Sequence, residues 1–389
     1  MENLIYLDWA STAVPEEDLI YESVRASVKS FANPSSIHKP GKEAKELLER
    51  SRKMIADTLN CKPENIIFTS GGTESNNTIL FSTLKKGRQN GIVISGIEHS
   101  SVFEPAKTLK EMGIHVRIVP ADQNGIVSPE KIARVIDKDT YLVSVMTVNN
   151  ETGAIQPVKE IGELIRRREE HLQKNIHFHT DAVQAFGKIP FIPEDLGVDS
   201  ASISAHKIGG PRGVGALYLK KPLAVLYCGG GQERGLRPGT ENIQGIYGFT
   251  LAAERRNSRL KEEFKRACEL KEYILDSLSS LNGCIFISGR DHNSYSPYII
   301  NVSFVPLPGE VLVRVLSDRG IAISTGSACS SAHKKKRLRI LENMGQPKQI
   351  AESAIRISFG PSTQKEEIDE FLDILKKEVN SLQRVAVKL

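Results

Sequence analysis

The chain has 389 residues, 40% of them hydrophobic and 25% charged, with a net charge of +5. At roughly 150 residues per domain, that length fits two or three domains and a large core. The balance excludes a disordered or collagen-like chain. Charge-free apolar runs, such as Tyr141 to Val148, fall short of the about 20 apolar residues that span a bilayer.

The acidic start, Met1 to Asp8, has no long apolar block and does not read as a signal peptide. Ile66 to Thr69 predicts a strand and Glu74 to Leu84 a helix. Gly91 to Ile94 and Ile114 to Val119 predict strands either side of a helix over Val102 to Met112. Further strands are expected at Tyr141 to Val148, Ile176 to Thr180 and Ala201 to Ser204, and helices at Pro129 to Ile136 and Val158 to Arg168. Continuous apolar strands between helices imply a parallel sheet covered on both faces, with ligands outside the strands' carboxyl ends. From Asn242 to Leu281 the helical pattern outlasts one ordinary helix, so a bridge between lobes with one break is expected. Short strands at Cys284 to Ile287, Ile299 to Ser303 and Ala354 to Phe359, with helices at Gly309 to Arg319 and Lys365 to Leu382, predict a smaller α+β lobe.

The five cysteines, Cys61, Cys228, Cys268, Cys284 and Cys329, are odd in number and show no C-x-x-C spacing. That argues against a disulfide framework or a structural zinc site and for a reducing cytoplasm. The basic residues Lys334, Lys335, Lys336, Arg337 and Arg339 equal the whole charge excess. Without interleaved aromatics they read as a solvated loop, and no direct nucleic-acid or membrane contact is expected.

Four segments carry candidate chemistry. In Thr69 to Asn77 a strand runs into Gly71-Gly72 and a helix begins, which suits one phosphate, or is a plain strand–helix turn. In His177 to Gln184, His177, His179 and Asp181 share one strand face. They form a metal set, or Asp181 alone pairs with a cation at the strand end, or the histidines are satisfied core residues. In Ser202 to Gly213, Lys207 follows an apolar strand and precedes a glycine turn, a place for a Schiff-base amine or for a lysine that reaches solvent. In Ser324 to Ser331 small and hydroxyl residues flank Cys329, a loop composition that would leave a thiol accessible. A phosphate cup, a carboxylate for a pyridinium nitrogen and a Schiff-base lysine together suit pyridoxal phosphate (PLP), whereas a metal explains only the second segment.

The sequence resembles the cysteine desulfurases of the NifS/IscS type, group I, within the class V aminotransferase group. The resemblance rests on Asn33 to His38, Thr69 to Asn77, Glu98 to Ser101, Val148 to Gly153, Asp181 to Gln184, Ser204 to Lys207, Arg237 to Asn242 and Gly326 to Cys329, in that order along one chain. It implies an α/β architecture of PLP fold type I. A large, mostly parallel seven-stranded sheet domain (16–257) would sit beside a smaller α+β domain (1–15 and 258–389) carrying the cysteine loop.

The same resemblance implies the roles. Lys207 would hold PLP, His99 would stack on its ring and relay protons, Asp181 would pair with the ring nitrogen, and Gln184 would bond the phenolic oxygen beside Asn150. Gly72, Thr73, Ser204 and His206 would hold the phosphate, with Thr240 reaching it across a homodimer. Arg356 would clamp the carboxylate of L-cysteine, with Asn33 nearby. Cys329 would take the sulfur as a persulfide, leaving L-alanine, and pass it to an acceptor protein such as an iron–sulfur scaffold or a tRNA-thiolation enzyme. Selenocysteine lysis or another class V reaction is the alternative. Trp9, Ser11, Pro361 and the lysine-rich run depart from the family's usual residues, and the run would steer an acidic acceptor.

Overall fold

The computed structural model describes residues 4–87, 90–325 and 338–386. Cys329 and Lys334 to Arg337 lie outside the described residues.

Seven strands form the main sheet: β2 (Ile66–Thr69), β3 (Gly91–Ser95), β4 (Val116–Val119), β5 (Thr140–Ser144), β6 (His177–Asp181), β7 (Ser200–Ser204) and β8 (Gly215–Leu219). Their spatial order is β2-β8-β7-β6-β5-β3-β4. Only β8 runs against its neighbours β2 and β7. The mostly parallel seven-stranded sheet is therefore as expected, and every strand but β8 points its carboxyl end to one edge. The strands are nearly all buried because helices cover both faces. Those helices include α1 (Glu17–Lys29), α2 (Lys39–Thr58), α3 (Gly72–Phe81), α4 (Ser100–Glu111), α5 (Pro129–Val135) and α6 (Val158–Leu172).

Local chemistry sets their starts. The His38 Nδ1 accepts from Gly41 N at 3.2 Å, with Pro40 in the first turn of α2. Ser128 Oγ accepts from Lys131 N to open α5, whose first residue is Pro129. Helix α3 differs: its first residues follow Gly71 with no side-chain cap.

The expected strand over Tyr141 to Val148 is cut short, since β5 ends at Ser144. Beyond it Asn149 turns the chain, its Oδ1 accepting from Glu151 N and Thr152 N, both at 2.9 Å. The break expected between Asn242 and Leu281 is absent. Helix α7 (Ile243–Ser279) runs 37 residues without interruption, about 55 Å at 1.5 Å per residue. Its middle, from Glu254 to Lys265, loses the apolar stripe but holds no proline or glycine, so the hydrogen-bond ladder continues. Phe249 and Ala252 belong to the main core, whereas Ile274 and Leu278 belong to a second core.

That second core is built on an antiparallel sheet of β9 (Cys284–Phe286), β10 (Ile299–Phe304) and β12 (Ala354–Ser358), in the order β12-β10-β9. Helix α8 (Gly309–Asp318) and the helix Lys365–Ala386 pack with it, and β1 (Ile5–Tyr6) pairs in parallel with β11 (Ile321–Ala322). The amino-terminal Leu7 and Ala10 are buried in this second core, which brings Asp8 to Ser11 beside Arg356.

Candidate active site

A cavity of about 300 Å³ opens at the carboxyl edge of the main sheet. Its walls come from the ends of five strands: Gly72 and Thr73 after β2, His99 after β3, Asn150 and Glu151 after β5, Asp181 to Gln184 on and after β6, and Ser204 to Lys207 on and after β7. Arg356 on β12 and Ser11 close it from the other core.

Lys207 lies in a single helical turn after β7. Its Nζ donates to the carbonyls of Ala10 and Ser11, both at 2.6 Å. Arg256 on α7 pins the next residue, donating from Nε to Ile208 O at 3.0 Å.

Asp181 ends β6. Its Oδ1 accepts from Val183 N at 3.0 Å and its Oδ2 from Asn76 Nδ2 at 2.7 Å. The same amide reaches Ser101 Oγ at 2.8 Å, which lies 2.8 Å from His99 Nδ1. His99 caps α4 and is held neutral: burial lowers its pKa, opposed by Asp181 and aided by Lys207 and Arg339.

His177 and His179 do share a face with Asp181, as the strand alternation requires, but no metal set assembles there. Both rings reach Ser200 Oγ, at 2.7 and 2.8 Å, and His179 Nε2 meets Asn76 Oδ1 at 2.9 Å. Burial drops their pKa values to about 4 and about 3. They are satisfied core residues, and His179 meets the Asn76 amide that in turn holds the Asp181 carboxylate.

The phosphate-cup candidates also converge. Gly71 has φ +147, open only to glycine, and a Cβ on Gly72 would stand 2.5 Å from Val183 Cγ2. The uncapped start of α3 thus turns bare backbone N–H groups to the cavity. Ser204 is buried, and His206, lowered to about 4 by burial and then by Lys207, lies 3.2 Å from Thr12 Oγ1.

Arg356 is 2% exposed. Its guanidinium donates to Asp8 Oδ1, Ser11 Oγ and Asn150 O, each at 2.7 Å. Asn33 and Thr240 are exposed and do not line the cavity within one chain. Asn33 Oδ1 accepts from Ser35 N at 2.9 Å instead.

Sequence reasoning missed the wall residues Glu151 and Arg339, and Glu98 next to the wall residue His99. Glu98 and Glu151 are buried acids, pushed by burial to about 8 and about 7. Arg339, expected in a solvated basic loop, turns inward because backbone carbonyls and a ring are waiting for it. It donates to Gly96 O at 2.8 Å and to Glu98 O, and its guanidinium sits 4.0 Å from the Phe103 ring centroid. No periodicity marks these positions. Glu98, Glu151, Asn76 and Ser101 all lie inside motifs that carry the resemblance, but their contacts form only on folding.

Comparison with known proteins places the chain. The class V aminotransferase model matches residues 5–371. The cysteine desulfurase IscS of Dictyoglomus turgidum is 38% identical over 393 residues, covering 99% of this chain and 97% of that protein. The chain belongs to the class V aminotransferase family, in its cysteine desulfurase group. A solved NifS-like protein superposes with a TM-score of 0.89 at 36% identity, over 97% of this chain and 99% of its own. A second solved structure, SspA in complex with cysteine, gives a TM-score of 0.78 at 30% identity, over 92% and 99%. The chain has the PLP fold type I architecture, and its seven-stranded sheet conforms to it.

Proposed function

We propose that the chain removes sulfur from L-cysteine with PLP held on Lys207, giving L-alanine and a persulfide on Cys329. The observation that carries this reading is the meeting of Lys207, Asp181, His99, Gln184 and Arg356 around one cavity. The group fits the residues present. The uncapped N–H groups of Gly72 and Thr73 at the start of α3 suit a phosphate, Asp181 suits a pyridinium, and the buried Asn150 Oδ1 has no hydrogen-bond partner among the described residues. Each lies on a different strand end, as a ring-shaped ligand held at several edges requires.

PLP, when bound, supplies an aldehyde for the amine and a ring that draws electrons from the substrate's Cα. The chain does the rest. Asp181, backed by Asn76 and Val183 N, presents a fixed negative charge to the ring nitrogen. His99, kept neutral, offers a flat face and a free nitrogen for proton movement. Arg356 offers a planar fork to the substrate carboxylate. Cys329 attacks the substrate sulfur; the carbon–sulfur bond breaks towards carbon, and a proton completes alanine.

Thr240 would complete the phosphate site across a homodimer. The exposed apolar residues Tyr21, Val28, Phe31 (78%) and Ile37 (90%), with Leu226 and Tyr227, support such a covered face. In this reading the division is 16–257 against 1–15 with 258–389, the four described cysteines are free as in a reducing cytoplasm, and sulfur passes to an iron–sulfur scaffold or a tRNA-thiolation acceptor.

The test is the absorption spectrum of pure protein before and after L-cysteine, with alanine and sulfide assayed together. The expected result is a PLP band that responds to cysteine, with equimolar products. Cys329→Ala is expected to keep the band and lose the sulfide. A colourless protein, or normal desulfuration by that variant, would overturn the reading.

A further inference from the structure

A second lysine stands beside the first. Lys188 follows the turn after β6, and its Nζ donates to Gln184 Oε1 at 2.7 Å. Gln184 Nε2 donates in turn to Ala10 O at 2.8 Å, the same carbonyl that Lys207 Nζ reaches at 2.6 Å. A carbonyl only accepts, so Ala10 O takes the Nε2 end of the amide, and Oε1 at the other end accepts from Lys188 Nζ. The amide nitrogen therefore keeps one further N–H, and Gln184 is a wall of the cavity.

We infer that Lys188 is a positioning residue, which locks the Gln184 amide with its NH₂ end toward the ligand so that it donates to an acceptor oxygen there. This rests on the PLP reading above, where that oxygen is the phenolate of the ring. A reversed amide would aim a carbonyl at an anionic oxygen and repel it.

Three further observations support the assignment. Lys188 has no carboxylate partner among the ion pairs of the described residues, so its place is not explained by charge pairing. Its surroundings are cationic: Lys207, Arg356 and Arg256 lie near enough to act with burial in lowering its pKa. Charged or neutral, the amine still carries an N–H for Oε1. Gly187, with φ +68, turns the chain between the two residues, and a Cβ there would stand 2.9 Å from Ile208 Cγ2. The loop therefore presses Lys188 back under Gln184 rather than letting it reach solvent.

The experiment is a double-substitution cycle read by PLP dissociation constant and by the position of the PLP band, with no turnover required. Lys188→Met and Lys188→Leu, neither of which carries a donor, are both made, so that a folded probe is at hand, and melting of the PLP-free chain checks folding. Each is expected to weaken PLP binding about tenfold, the worth of one hydrogen bond, and to move the band. Lys188→Arg, which keeps a donor, is expected to restore most of both. In a Gln184→Ala background, Lys188→Met is expected to add nothing. The same tenfold loss in that background, or an unmoved band in the single variants, would overturn the inference. A wild-type chain that takes up no PLP would instead overturn the reading beneath it.

Discussion

Asn76 is the residue on which the site turns. One amide holds Asp181, Ser101 and His179 at 2.7 to 2.9 Å, and it is fully buried. Asn76→Ala is expected to leave buried groups unsatisfied and cost about 1–3 kcal/mol for each, read by denaturant unfolding. Glu98 provides a pH signature. Its Oε1 bonds Ser95 Oγ at 2.5 Å and accepts from Met146 N at 2.8 Å, while its Oε2 has no partner among the described residues. Burial raises it from 4.5 to about 8, so the folded chain keeps a proton that the unfolded chain releases. Its contribution is full below pH 4.5 and is lost as pH rises through about 8. Glu98→Gln is expected to flatten the fall in melting temperature between pH 5 and 8. His177 and His179 act in the opposite sense below pH 6.5, and that limb is expected to persist in the variant.

Most elements were legible in the sequence because their signals are local. The strand at Ile66 to Thr69, the glycine pair and the helix behind it follow from run length and turn chemistry. Two failures share a cause. The mid-section of α7 lost its apolar stripe, which read as a break, yet Arg255 and Arg256 there bind Glu16, Asp18 and Glu263 and need no core. Arg339 read as solvated because nothing nearby in sequence names its partners, Gly96 and Glu98, some 240 positions away. The role of Asn76 was likewise hidden, since it acts through Asp181, 105 positions away. Two departures from the family pattern resolve at this scale. Trp9 lies on Gly360, directly before Pro361, and any Cβ at Gly360 would overlap its ring. Gly360→Ala is expected to cost about 1–3 kcal/mol by overpacking, and less in a Trp9→Ala background. Gly72→Ala is expected to cost a similar amount, about 1–3 kcal/mol, through Val183, and also to weaken PLP retention.

Across the whole molecule the site is an assembly of two cores. The main sheet supplies Lys207, Asp181 and His99, while Arg356 and Ser11 come from strands and turns packed on the second core. If the exposed face around Phe31 and Ile37 pairs in a homodimer, Phe31→Lys is expected to shift sedimentation equilibrium toward monomer and to weaken phosphate retention through loss of Thr240.

One rod runs through both cores. Ile246 and Phe249 are anchored at one end of α7 and Ile274 and Leu278 at the other, with polar residues between. Neither half can melt without fraying the other's support, so calorimetry of the intact chain should record a single cooperative peak. A proline in the exposed mid-section, Ser258→Pro, would break the ladder there at a cost of about 3 kcal/mol or more. That variant should uncouple the halves into two separate transitions.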